Sequence, residues 1–273
     1  ARNGSAVYGY DFVSDSDIAN DGDGRDADPS DPGDWISSAD LSKDAFKNCT
    51  VTNSSWHGSM MAGIIAATSN NSVGIAGVSW GTTILPVRVI GKCGGYDSDI
   101  LAGMRWAAGL PVDGVSTNLY PAKILNMSLG GDGSCNAAYQ DVVNQVAMAG
   151  SLVIAAAGND GGGLGTPANC PGVLGVIGLR NTGTKVSYSS FGPEAGIAAP
   201  SGNCGSGSAC QYPFYSTKNS GTTIPVTDNY STTADANLGT SFSVPLVSGV
   251  AALMGSLNSA LPPAKLITRL KIG

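Results

Sequence analysis

The sequence predicts an α/β fold, a three-layer sandwich with helices on both faces of a mostly parallel central sheet. Through the middle of the chain, short β-rich apolar runs alternate with longer stretches of helical character, the order expected of strands joined by crossover helices. The apolar runs are nearly continuous rather than alternating, as strands are when both faces of their sheet are covered. Only 12% of the residues are charged and 39 are glycine, which suits a compact, loop-rich body with a sizeable core. No proline-rich or charged linker divides the chain, so residues 1–273 read as one domain.

The elements follow in order. "TTILPVRVI" (82–90) reads as a strand and "SDILAGMRWAAGL" (98–110) as a helix. "AKILNMSLG" (122–130) is the next strand, "AAYQDVVNQVAMAG" (137–150) the next helix, and "SLVIAAAGN" (151–159) and "VLGVIGL" (173–179) are further strands. Residues 204–237 are polar with scattered Tyr, Pro and Gly, and read as β-hairpins and surface loops. The small and apolar residues 241–256 predict a buried helix.

Composition excludes several roles. A net charge of -6 with few lysines argues against nucleic acid or another polyanion as partner. No run of 18 apolar residues occurs, so no membrane span is expected. The segment "ARNGSAVYGYDF" has no apolar signal core, so any targeting segment is expected to lie outside it. Six cysteines, at 49, 93, 135, 170, 204 and 210, form no C-x-x-C pair of the zinc-site type. Three disulfides and an oxidising, extracellular location are the favoured reading, with free buried cysteines as the alternative. Cys204 and Cys210 enclose a short turn and make the safest pair; Cys49 with Cys93 and Cys135 with Cys170 are expected for the rest.

The chain has one histidine. His57 opens an apolar helix, Ser241 opens another, and Asn159 follows an apolar strand. A hydroxyl nucleophile needs a base for its proton, and a tetrahedral intermediate needs donors aimed at its oxyanion. Serine, histidine and asparagine can fill those roles, and a helix N-terminus at Ser241 adds unpaired N–H groups. Pro245 is expected in the first turn of its helix, where a missing N–H does little damage. Gly58 and Gly63 are expected to let the histidine helix approach its neighbours closely.

"WHGSMMAGIIAA", "ILNMSLGG", "VIAAAGND", "FGPEAGIAAPSG" and "GTSFSVPLVSGVAALM", in this order, resemble the motifs of the secreted bacterial branch of the subtilisin-like serine proteases. The likeness runs from about residue 9 to the end. It implies a serine endopeptidase acting on polypeptides, with His57 as general base, Ser241 as nucleophile and Asn159 in the oxyanion hole. It implies that Ser128, Leu129 and Gly130 pair with the substrate backbone as an added strand. Ala156, Ala157 and Gly158 would wall the pocket for the residue before the cut, with Gly165 near its floor; such small residues predict a preference for Phe or Leu. The auxiliary histidines of the family's "HGTH" and "APHV" are replaced in "HGSM" and "VPLV", with little chemical consequence expected.

One departure is serious. The family's third catalytic member is an aspartate ending an early apolar strand before Ser-Gly or Thr-Gly, and no Asp-Ser-Gly or Asp-Thr-Gly occurs here. "GYDFVSD" (9–15) resembles sequence that follows that strand, which makes Asp11 and Asp15 poor substitutes. The expectation is an N-terminal fragment, bound but separate, that carries the aspartate strand in an otherwise monomeric assembly. Omission of that fragment from the sequence, and a catalytically impaired peptide-binding scaffold, are the alternatives.

"DSDIANDGDGRDADPSDPGDW" concentrates aspartates whose spacing suits a hard cation, and Ca2+ is expected there, against a solvated acidic loop. Asp15, Asp21, Asp23, Asp26 and Asp28 with the Arg25 carbonyl are the candidate ligands. By the resemblance, "TSNNSVGIAGV" (68–78) is a second calcium loop, with Asn71 and the carbonyls of Ser69, Val73 and Ile75. Two rival enzymes are weighed. "GVSWG" around Ser79 matches the esterase elbow, but that fold needs its histidine after the nucleophile. A single histidine cannot assemble the usual set for a zinc hydrolase.

Overall fold

The computed structural model describes residues 8–203, 212–232, 235 and 237–272. Strands β3 (Ile124–Met127), β4 (Leu152–Ala156), β5 (Leu174–Leu179) and β6 (Ala195–Pro200) lie side by side in chain order, all parallel. Ile124 pairs with Leu152, Ile154 with Leu174, and Val176 with Ile197. Crossovers run through helix α4 (Ala137–Met148), which Asn136 caps by accepting the Tyr139 N–H at 3.0 Å. Its buried Tyr139, Val142, Val143 and Val146 recur at helical spacing and turn one face to the sheet.

Side-chain alternation then divides the core. Leu125, Met127, Val153 and Ala155 face α4 and helix α3 (Asp97–Ala107), while Leu152, Ile154, Leu174 and Val176 face helices α5 (Thr240–Leu257) and α6 (Pro263–Ile272). These are the two helical layers of the sandwich. Ile154 and Val176 are fully buried, and truncating Ile154 to alanine costs about 2–5 kcal/mol. Helix α5 is long and apolar enough to cross a membrane by length and composition, yet Val244, Val247 and Ala251 face this core. Helix α6 is not read from the sequence; Leu266 anchors it, with the partly buried Ile267 and Leu270 packed on the same core.

A second parallel sheet pairs β1 (Tyr10–Asp11) with β2 (Val87–Arg88). The strand expected at 82–90 is thus reduced to two paired residues, because Pro86 offers no N–H and the run's other edge has no neighbouring strand among the described residues. Between β2 and β3 lies a cavity of about 1540 Å³, lined by Thr83–Ile90 on one side and by Lys123–Gly130 on the other. Helix α1 (Ser16–Ala19), helix α2 (His57–Ala66) and the antiparallel hairpin of β7 (Thr217–Asn219) and β8 (Asp228–Tyr230) complete the described elements used below.

Two of the expected disulfides are present. Cys49 joins Cys93 with Cα atoms 6.1 Å apart, and Cys135 joins Cys170 at 5.1 Å. The expected Cys204–Cys210 pair lies outside the described residues.

Candidate active site

His57 is the first residue of α2, preceded by Trp56 in the left-handed region (φ 52°). That backbone costs strain for a bulky residue, and burial offsets it: the indole is 2% exposed and donates to the Gly221 carbonyl at 2.7 Å. The His57 backbone N–H donates to Ser55 Oγ at 3.3 Å, and Ser55 donates from its N–H and hydroxyl to the Asp34 carboxylate at 2.6 and 2.7 Å. The imidazole is half-buried, its centroid 6.4 Å from that of the Phe242 ring, which stacks on Phe214. Burial pulls its pKa below 6.5, and the charge of Asp34 opposes the shift.

The two expected glycine contacts differ. A methyl on Gly63 would lie 2.2 Å from Thr217 Oγ1, so that glycine permits the approach of β7, whose Thr217 hydroxyl reaches the Ser59 carbonyl at 2.7 Å. Gly58 faces open space, so the expected close approach at that position does not occur.

Ser241 is the second residue of α5. Gly239 precedes the helix at φ 139°, a conformation that L side chains rarely adopt. Asn159, just beyond the end of β4, accepts from the Thr240 N–H at 2.8 Å and from the Thr240 hydroxyl at 3.1 Å, and so places its amide beside the start of α5. Asn159 is exposed and Ser241 half-buried. The Ser241 hydroxyl donates to the Ser128 carbonyl at 3.1 Å. Pro245 is not in the first turn as expected: the helix begins at Thr240, so proline falls in its second turn, inside the helix.

Ser128, Leu129 and Gly130 continue β3 along the cavity rim, and Ala156 ends β4 with Ala157 and Gly158 just beyond it. The methyls of Ala156 and Ala157 turn into the cores on opposite faces of the sheet, so these residues offer the crevice mainly backbone. Gly131 and Thr166 exchange backbone hydrogen bonds at 2.9 Å and tie the two strand ends through the 164–166 loop. Gly165 sits in that tie, where a methyl would meet the Gly131 carbonyl at 2.4 Å.

Asp11 and Asp15 lie away from the imidazole. Asp11 is fully buried against Arg88, and burial, outweighing that partner, raises its pKa to about 6. Asp15 caps α1 by accepting from the N–H groups of Asp17 and Ile18 at 2.9 and 3.3 Å. Among the described residues the nearby charge acting on the imidazole is that of Asp34, which the sequence places only in the acidic loop. Ser79 is 2% exposed and hydrogen-bonds Thr82 at 2.5 Å, so it occupies no open nucleophile elbow.

In the acidic loop, Asp21, Asp23 and Asp26 bring carboxylate oxygens within 4.8 Å of one another. A hydrogen bond with Asp26, with burial and like charge behind it, raises the Asp23 pKa. A hard cation suits such a set of oxygens. Asp28 instead accepts from the Ser30 N–H and hydroxyl at 3.0 and 2.6 Å, and the Arg25 guanidinium turns to Phe12 and Asp99. Asn71 accepts from the Val73 N–H at 3.1 Å within its own turn.

Known proteins resemble the chain over nearly its whole length. The chain is 42% identical over 272 residues to an extracellular protease of Xanthomonas campestris, covering 98% of this chain and 44% of the relative. It is 41% identical over 270 residues to an extracellular basic protease of Dichelobacter nodosus, covering 97% and 42%. The chain therefore spans less than half the length of these relatives. Among solved structures, a protease from Pseudoalteromonas arctica superposes with a TM-score of 0.90 at 40% identity, over 97% of this chain and 76% of that one. A family model described as the subtilase family matches residues 13–271. The chain belongs to the subtilase family, with a subtilisin-like fold.

Proposed function

We propose that this chain forms the main body of a secreted serine endopeptidase. Ser241 attacks the peptide carbonyl, His57 takes the hydroxyl proton and returns it to the leaving amine, and Asn159 with the Ser241 N–H stabilises the oxyanion. The observation that carries this reading is the meeting of β3, β4 and α2 at the first turn of α5. Asn159 bonds Thr240 there, Ser128 bonds Ser241, and the His57 ring packs on Phe242. Rotation of the Ser241 side chain away from the Ser128 carbonyl frees its hydroxyl for the base. Secretion accords with the disulfides and with the names of the extracellular relatives.

The acid of the triad enters through the cavity. In a parallel sheet, buried strand edges need partners, and β2 and β3 turn open edges towards each other across a space that His57 also lines. An extended segment of an N-terminal fragment fits between them, uniting two sheets into one and carrying an aspartate to the imidazole. Substrate backbone pairs with residues 128–130, and the small residues Ala156, Ala157, Gly158 and Gly165 favour Phe or Leu before the cut. Calcium binds Asp21, Asp23 and Asp26, where it would neutralise crowded carboxylates.

A second reading, a peptide-binding scaffold without turnover, is favoured by the Ser241 hydroxyl resting on a carbonyl and by the placement of Asp11 and Asp15. One experiment separates the two. A fluorophosphonate should modify Ser241 in the secreted protein, and intact mass after denaturation should reveal a second small polypeptide or a longer chain containing an apolar aspartate strand. Absence of labelling with that strand present would establish the scaffold.

A further inference from the structure

Pro245 stands inside α5 and has no N–H to donate. In an α-helix the N–H of residue i bonds the carbonyl of residue i−4. The carbonyl that loses its donor here is that of Ser241. It is satisfied from outside the helix: the Ser128 hydroxyl donates to it at 2.8 Å, while the Ser241 hydroxyl donates back to the Ser128 carbonyl at 3.1 Å.

The Ser128 hydroxyl is itself held. The Asn126 amide donates to it at 3.1 Å, and the Ser248 hydroxyl donates to the Asn126 side-chain carbonyl at 2.9 Å. Ser128 and Ser248 are 9% and 2% exposed, so water does not compete freely for these bonds. The pattern follows from two periodicities. Residues 126 and 128 share one face of the β3 edge, and residues 241 and 248 lie nearly two turns apart on one face of α5.

We infer that the side chains of Ser128, Asn126 and Ser248 are positioning residues for the nucleophile. They replace the bond that Pro245 removes and fix the first turn of α5 against the strand edge that receives the substrate backbone. Attacking oxygen and scissile carbonyl are thereby referred to one rigid frame. The inference rests on Ser241 being the nucleophile.

The test is a cycle of Ser128→Ala and Pro245→Ala in the secreted protein, with active sites counted by fluorophosphonate. Ser128→Ala should lower kcat per titrated site by roughly 10- to 100-fold while KM moves little, and Ser128→Thr should restore most of it. Pro245→Ala returns an N–H to the Ser241 carbonyl, so in that background the same Ser128→Ala change should cost much less. Ser248→Ala should act in the same direction as Ser128→Ala, more weakly. Melting temperatures should repeat the cycle, with a drop of roughly 2–4 °C for Ser128→Ala that shrinks beside Pro245→Ala. An unchanged kcat in Ser128→Ala, or equal losses in both backgrounds, overturns the inference. A parent protein that is not labelled at Ser241 sinks the protease reading instead, and the melting cycle still decides whether the replacement bond exists.

Discussion

The side-chain carbonyl of Asn159 accepts the N–H of Thr240 at 2.8 Å, so the residue that follows β4 also caps the helix on which Ser241 sits. With its oxygen committed there, its amide nitrogen remains as the donor end. On the proposed mechanism Asn159 holds a structural bond and the oxyanion donor on one side chain. Asn159→Ala should lose both, with kcat falling roughly 10²–10³-fold and stability falling by about 1 kcal/mol. Asn159→Asp keeps the acceptor and lacks the donor, so chemical denaturation should show near-normal stability while kcat stays low. Equal recovery of both would show that Asn159 acts only as a cap.

The only histidine gives a single imidazole signal, which makes its titration readable by NMR. Burial lowers the His57 pKa below its ordinary 6.5 in the chain as described. The linkage sign follows: a depressed basic group carries no penalty above pH 6.5 and costs stability as pH falls below it, when the unfolded chain takes up the proton first. An aspartate brought against the ring should move the midpoint upwards. A midpoint at or above 6.5 without such a carboxylate would contradict the burial argument.

Calcium at the acidic loop should make stability depend on free cation. Chelation should lower the melting temperature and open residues 21–28 to proteolysis, and Asp23→Asn should blunt both responses. A melt that EDTA leaves unmoved would remove the ion from the proposal.

Much of this is legible in the sequence, because the signals are local. Strands of unbroken apolar character and the i, i+3, i+4, i+7 face of α4 declare themselves within a dozen residues, and Cys49–Cys93 and Cys135–Cys170 form as expected. The misses are tertiary. Pro245 is misplaced by its position in the motif alone, since it is the sixth residue of a helix that begins at Thr240 and so falls in the second turn. Gly58 and Gly63 share one motif, yet a methyl on Gly58 would meet open space whereas one on Gly63 would meet β7. No sequence spacing reveals that Ser128 and Asn126 reach α5, since those contacts join segments more than a hundred residues apart.

The two described disulfides lie in sequence on either side of the cavity-lining strands, Cys49–Cys93 closing just after β2 and Cys135–Cys170 bracketing α4 and β4, and none of these four cysteines lines the cavity. Across that line the molecule is joined by helix packing, as where Ile100 and Met104 of α3 meet Leu125 and Met127. Its mechanical compliance is therefore expected to be directional: stiff where a covalent staple runs, soft where a wedge-like load would part the halves. A reductant should slacken the flanks and leave the seam itself little altered.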